Sequence, residues 1–323
     1  VSRPPVELVH VLRSGFHECS HYGSMVVTGP DGAILHEAGD PSAAVLPRSS
    51  NKPFQAVAML QAGADLAGAD LALASASHSG ESMHVTRVLA MLERAGLTED
   101  DLQCPPALPM EEQAKRAVLA EGGEPRRVYM NCSGKHAGML LACVAQGWDT
   151  ATYLDPEHPL QRSVRAVVAR LADEEPSAVC IDGCGAPLFA IPLTALARAF
   201  GRVNAAAPGT VEQTVASAMR NNPEMVGGTG REDTRLMAGL PGLLVKGGAE
   251  GVHCASLPDG STVAVKIADG GDRARMPVLV AGLRRLEVPT DEAGAALLDE
   301  LGTGVVLGGG RPVGTVQAAP AVR

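Results

Sequence analysis

The chain has 323 residues, a net charge of −9, and 46% apolar, 20% charged and 2% aromatic residues. That apolar share belongs to a globular chain rather than a disordered one. The scarcity of aromatics and the acidic balance argue against nucleic acid as a partner, because base stacking needs rings and phosphate needs a basic surface. No uncharged apolar run approaches the ~18 residues of a membrane span, so no membrane is expected as a partner. The first ten residues lack the basic-then-apolar layout of a secretory signal, so a soluble, cytoplasmic protein is expected.

No repeat is visible, and no Pro-rich linker splits the chain. One catalytic unit is therefore expected over 1–323. A short apolar strand is predicted at residues 6–11. Residues 24–28 and 33–36 flank Pro30-Asp31-Gly32 and read as a hairpin. A helix must begin near Ser49 or Ser50, because Pro53 fits only a first turn. Helical spacing then recurs at 83–97, after Cys132–Lys135, and at 160–171, 193–200 and 211–219. Strand character returns at 243–246, 251–257 and 262–267, the last two joined by Pro258-Asp259-Gly260, and a helix is predicted over 273–286. Strands near 1–45 and 240–270 with a mainly helical middle, 49–240, predict an α+β fold. Its antiparallel sheet is built from both ends of the chain, with helices packed on it.

The basic residues are unevenly divided, with 22 Arg and five Lys: Lys52, Lys115, Lys135, Lys246 and Lys266. Arginine stays charged, whereas a buried lysine can give up its proton and act as base or ligand. In Arg48-Ser49-Ser50-Asn51-Lys52-Pro53, Ser49 and Lys52 lie three apart at a helix start and share one side of its first turn. There the helix dipole favours a developing oxyanion, and Lys52 is placed to take the serine proton. The alternative is that Ser49 or Ser50 merely caps the helix. In Ser77-His78-Ser79-Gly80-Glu81, Ser79 is a candidate proton relay, and His78 or Glu81 a candidate holder of polar substrate atoms; the alternative is a helix-initiating turn. Lys246-Gly247-Gly248 ends a predicted strand. Ser-x-x-Lys, then Ser-x-x, then strand Lys-x-Gly is the order in serine acyl-transferring enzymes of the penicillin-binding class.

The seven cysteines are odd in number and scattered, as expected of reduced thiols rather than a disulfide framework. Two of them sit in glycine-hinged turns, Asn131-Cys132-Ser133-Gly134-Lys135-His136 and Asp182-Gly183-Cys184-Gly185. Cys132 and Cys184 with Lys135 or His136 could bind zinc, since thiolates are soft ligands; the alternative is buried inert thiols. Gly134-Lys135-His136 lacks the rest of a phosphate loop, and no organic cofactor is expected. Arg231 or Thr229, in the turn Gly227–Thr234, is a candidate for an anionic substrate group; the alternative is a loop leading into a helix.

These motifs together resemble the L-asparaginase II family of the serine–lysine type. RSSNKPFQA (48–56), SHSGE (77–81), NCSGKHAGML (131–140), DGCGAP (182–187), GTGREDT (228–234) and KGGAEG (246–251) occur in that family's order. The resemblance runs from about Glu7 to Asp269. It implies a fold like serine β-lactamases and glutaminases, and homodimeric, cytoplasmic amidohydrolases. It also implies two serine–lysine tandems, Ser49 with Lys52 and Ser79 with Lys246. Cys132, Lys135 and Cys184 fall on positions that bind zinc in part of the family, and Asp182 falls beside the substrate pocket. Gly247 stands where relatives often carry a hydroxyl residue, and Asp233 where some carry a further cysteine.

The expected reaction is hydrolysis of L-asparagine to L-aspartate and ammonia through a Ser49 acyl-enzyme. Lys52 is neutral and acts as base, and Lys246 keeps it neutral by repulsion. Arg48 or Arg231 would hold the substrate α-carboxylate, and Asp182 or Glu81 its α-ammonium. The alternatives are a glutaminase or β-lactam-type serine hydrolase, told apart by ammonia from glutamine or by β-lactam turnover, and a non-catalytic sensor of an amino acid or metal.

Overall fold

A computed structural model describes residues 3–322. At the N-terminal end lie β1 (Val6–Arg13), β2 (Phe16–Thr28) and β3 (Ile34–Ala38), followed by the short β4 (Ala44–Val45). The β2–β3 hairpin turns at Pro30-Asp31-Gly32, where Gly32 takes a φ of 79° that a side chain would strain. β2 starts well before residue 24, because its first half is exposed and carries no apolar alternation to announce it. The helices Ser82–Arg94, Pro159–Ala172, Leu193–Asn204 and Val211–Asn221 fill the middle of the chain close to their predicted places. Between them β5 (Ala178–Ile181) and β6 (Pro187–Pro192) join β4 in a three-stranded sheet that the apolar periodicity did not suggest.

β7 (Leu244–Gly247), β8 (Val252–Ser256) and β9 (Thr262–Ile267) follow as expected. A C-terminal hairpin, β10 (Thr303–Gly308) and β11 (Arg311–Ala318), turns at Gly309-Gly310 and completes the sheet. The large sheet runs β10-β11-β1-β2-β9-β8-β7, antiparallel throughout, with β3 also on β2. Both ends of the chain thus build one sheet in an α+β fold.

Helices cover both faces of this sheet. A Cβ on Gly201, in helix Leu193–Asn204, would meet Thr262, and one on Gly282, in helix Arg275–Arg285, would meet Val263. Successive strand residues point to opposite faces, so these two helices sandwich β9. Every residue of β7 and β8 is buried as a result. Among the described residues, no helix is long and apolar enough to cross a membrane.

The helix Lys52–Gln61 lies at the centre of the helical layer, packed on Ser133–Gln146, Pro159–Ala172 and Val211–Asn221. Its Phe54 ring meets Phe200 edge-on at 6.5 Å. The 3-10 turn Arg48–Asn51 that leads into it packs against β7 and β8. The start of the central helix and the end of the edge strand therefore form one seam, which brings Ser49 and Lys246 to the same cleft.

Candidate active site

Arg48 has a φ of 49°, in the left-handed region that costs a non-glycine residue about 1 kcal/mol or more. This bend delivers Ser49 to the cleft wall at the start of the helical run. Neither Ser49 nor Ser50 caps the helix. The Ser50 hydroxyl donates to the Lys246 carbonyl at 2.9 Å and ties the turn to β7. The half-buried Ser49 lines a polar cleft of about 150 Å³, together with Ser77, Asn131, Arg231, Asp233 and Lys246. That volume is well below the ~300–1,000 Å³ of drug-sized sites, so the cleft suits a small polar molecule.

Two lysines, each with only 1% of its surface exposed, serve this site: Lys246 lines the cleft, and Lys52 reaches it through Ser77. Lys52 Nζ donates to the Ala76 carbonyl and, at 3.1 Å, to Ser77 Oγ. Lys246 Nζ donates to the Gly247 carbonyl at 2.7 Å and stands 3.6 Å from Asp233 Oδ2. Burial pushes Lys246 down to about 7; Asp233 opposes this, and the charges of Lys52 and Arg231 reinforce it. The sequence reading gives Lys52 the neutral role and Lys246 the supporting charge; burial favours the neutral amine at Lys246.

The second serine differs too. Ser79 was expected beside Lys246, but its hydroxyl is directed to Glu81 Oε1 at 2.8 Å and the Gly227 carbonyl at 3.1 Å. Ser77, two residues earlier, takes the place next to Lys52. Glu81 also accepts from the Thr229 N–H and hydroxyl, at 2.8 and 2.6 Å. Burial works to raise its pKa, but these bonds outweigh it and hold the carboxyl below its usual range. Glu81 thus latches its own turn to the Gly228–Thr229 loop and is not among the cleft-lining residues. His78 is fully buried, bonded to Ser133 Oγ at 2.8 Å and accepting from the Gly80 N–H, and its ring stacks on His84. Burial, with His84 and Lys52, keeps it neutral, and it packs in the core rather than facing the cleft.

Of the residues predicted to hold substrate charges, Arg48 and Asp182 are bonded to each other, Nε to Oδ1 at 2.7 Å. Arg231 does line the cleft, 3.8 Å from Glu232. In sequence Asp233 stands out only as a position where some relatives carry a cysteine, and His253 and Arg275 carry no motif at all. Yet Asp233 and Arg275 line the cleft, and His253 bonds to Asp233. Asp233 and His253 are 20 positions apart, so no local signal links them.

Cys132, Lys135 and Cys184 do come together. Lys135 Nζ donates to Cys184 Sγ at 3.0 Å, while the Cys132 thiol donates to Asn131 Oδ1 at 3.2 Å. The nearby Cys132 thiol and the Lys135 charge outweigh burial and lower the Cys184 pKa, whereas Cys132, buried beside that sulfur, is pushed up. Burial works against the Lys135 charge, but the two sulfurs prevail and raise its pKa. Beside them His136 Nε2 is buried without a partner, its Nδ1 being taken by the Tyr153 hydroxyl at 2.7 Å. Among the described residues no three His, Cys, Asp or Glu side chains form a metal-binding group. Two sulfurs and an amine nonetheless fit zinc as a donor set, provided that Lys135 and Cys132 give up their protons.

Several solved structures are distantly similar to this chain. A β-lactamase (Mb2281c) from Mycobacterium bovis is 16% identical, over 82% of this chain and 93% of that one, with a TM-score of 0.43. The native form of Mglu is 15% identical over 82% and 63%, with a TM-score of 0.45. A Bacillus glutaminase is 13% identical over 85% and 88%, with a TM-score of 0.31. Likeness at this level says nothing about substrate. No curated protein matches the chain significantly. Residues 9–318, in contrast, match the L-asparaginase II family. The chain belongs to the L-asparaginase II family and is an amidohydrolase.

Proposed function

We propose that this protein hydrolyses L-asparagine to L-aspartate and ammonia. The observation that carries this reading is the cleft itself: Ser49, the buried Lys246 and Ser77, which is bonded to the buried Lys52, around a volume fit for a small amino acid, with Arg231 at its wall. Ser49 Oγ adds to the side-chain carboxamide carbon, and its proton passes to Lys246, whose neutral form burial favours. The oxyanion is met by the N–H of Ser49, in the first turn of the helical run, and by that of Ala249 just past β7. Lys52, through Ser77, returns a proton to the nitrogen as the C–N bond breaks and ammonia leaves. Water, giving its proton to Lys52, then attacks the Ser49 ester, Lys246 returns the proton to Ser49 Oγ as that C–O bond breaks, and aspartate is released. Arg231 pairs with the substrate α-carboxylate.

Zinc belongs to the same proposal, with Cys132, Lys135 and Cys184 as its holders; bound there it would supply a positive charge that helps orient the substrate. Ammonia release from L-asparagine, with L-glutamine in parallel, tests the reaction. Release from asparagine well above that from glutamine supports it. Release from glutamine alone would move the reading to a glutaminase, and none from either would overturn it.

A further inference from the structure

Asp233 and His253 take no part in the steps above, yet both are buried beside the Lys246 strand, Asp233 at the cleft wall and His253 on β8. β7 is the edge of the large sheet, so one side of its backbone lacks a neighbouring strand. Asp233, in the first turn of helix Glu232–Gly239, fills that gap: its Oδ2 accepts the Gly247 N–H at 2.9 Å and lies 3.6 Å from Lys246 Nζ. Its Oδ1 accepts from His253 Nε2 at 2.8 Å, and His253 stands directly across the β7–β8 ladder from Gly247. A Cβ on Gly247 would lie 3.1 Å from His253 Cε1, 3.1 Å from Arg275 Nη1 and 3.4 Å from Asp233 Oδ1. The bare Cα is what lets these groups close on the strand.

The geometry points to Asp233 and His253 as positioning residues for the amide hydrolysis: the carboxylate anchors the edge strand that carries Lys246 to the cleft, and the imidazole holds the carboxylate in place. The inference rests on the reaction proposed above. Burial keeps His253 neutral, so its N–H donates to the carboxylate. Burial would raise the Asp233 pKa, but His253, Lys246 and the Gly247 N–H hold it well below the usual range, so it stays charged. Lys246 is faced by Asp233 from this helix, Lys52 from the central helix, Arg231 from the preceding loop, Cys132 ahead of helix Ser133–Gln146, and His253 and Cys254 from β8. Asp233 is therefore the carboxylate set against the positive charges of Lys52 and Arg231.

Asp233→Asn keeps the shape and removes the charge. It should lower kcat at least about tenfold with KM within about threefold. It should also move the acid limb of kcat/KM to lower pH by about half a unit or more, because losing a negative neighbour favours the neutral amine. Asp233→Glu should restore the position of that limb. His253→Gln, which keeps an N–H donor, should lower kcat less and leave the limb in place. Wild-type kcat and an unmoved limb in Asp233→Asn would overturn the inference. Competitive acetylation of Lys246 by acetic anhydride, followed by peptide mass across about pH 6 to 9 in folded wild type and Asp233→Asn, reads the same charge without turnover. A lower midpoint in the variant supports the inference, and an identical one overturns it. Absence of amide hydrolysis by the wild type would sink the proposed function instead, and leaves the labelling result decisive for Asp233.

Discussion

The cleft and the cysteine cluster each contain a lysine with 1% of its surface exposed, Lys246 in the first and Lys135 in the second. Burial disfavours the charge on both. Lys135 touches the Cys184 thiolate at 3.0 Å and stays protonated. Lys246 stands 3.6 Å from Asp233, whose oxygens are already bonded to His253 and Gly247, and it also feels the charge of Lys52; it is held near 7. At an effective dielectric of ~20, opposite charges ~4 Å apart attract by about 4 kcal/mol, so a full ion pair can offset burial. When the counter-charge is shared and a second cation stands nearby, burial prevails. Without metal, equal burial thus yields a structural ammonium in one region and a usable base in the other.

The largest expected effect tests the cleft at its nucleophile. Ser49→Ala should cut ammonia release at least about 10³-fold, while its melting temperature stays near wild type, because the half-buried side chain caps nothing. Substantial turnover in that variant would falsify the nucleophile assignment.

Replacing the two lysines in turn should separate the two regions. Lys246→Met should lower kcat by about 10²-fold or more with little loss of stability in urea, since an apolar side chain replaces an amine that burial already disfavours. Lys135→Met leaves the Cys184 thiolate without its cation and should cost about 3 kcal/mol of stability. Equal losses of stability in both variants would erase the distinction.

pH sharpens the same contrast. The folded pKa of Lys246 lies below that of an unfolded lysine, so the unfolded chain binds the extra proton between about 7 and 10.5. Stability attributable to Lys246 therefore grows as pH rises through that window and is lost as pH falls toward 7. Lys135 is shifted the other way, so its contribution is complete below about 10.5 and is lost only as pH rises through its raised pKa. Wild type measured against Lys246→Met should gain stability between about pH 7 and 10, and measured against Lys135→Met should show no lysine-driven gain there. The acid limb of kcat/KM should likewise fall away below about pH 7, as Lys246 takes up its proton.

Smaller effects separate the two serines of the 77–81 turn. Ser77→Ala should reduce kcat about 10- to 100-fold with little change in melting temperature. Ser79→Ala, which removes the bond to Glu81, should cost about 1 kcal/mol of stability and leave kcat nearer wild type. The reverse ranking would return Ser79 to the proton-relay role expected from sequence. The smallest expected effect on turnover comes from Cys184→Ser, which should abolish zinc retention after dialysis, read by metal analysis.

Local rules on the chain determined the helix start at Ser49–Pro53, the hairpins at Pro30-Asp31-Gly32 and Pro258-Asp259-Gly260, and the scarcity of lysine that drew attention to Lys52, Lys135 and Lys246. These follow from proline's missing N–H, from turn chemistry and from composition, which act within a few residues. The Gly309-Gly310 hairpin had a local signal as well, in a region given no strand. Tertiary structure alone decided which serine of the 77–81 turn meets Lys52, that Arg48 is spent on Asp182, and that Asp233 and His253 brace β7. It also decided which buried lysine keeps its proton. Those outcomes depend on charges and hydrogen-bond partners brought together from distant parts of the chain, and a pKa is set by that sum rather than by the residues on either side.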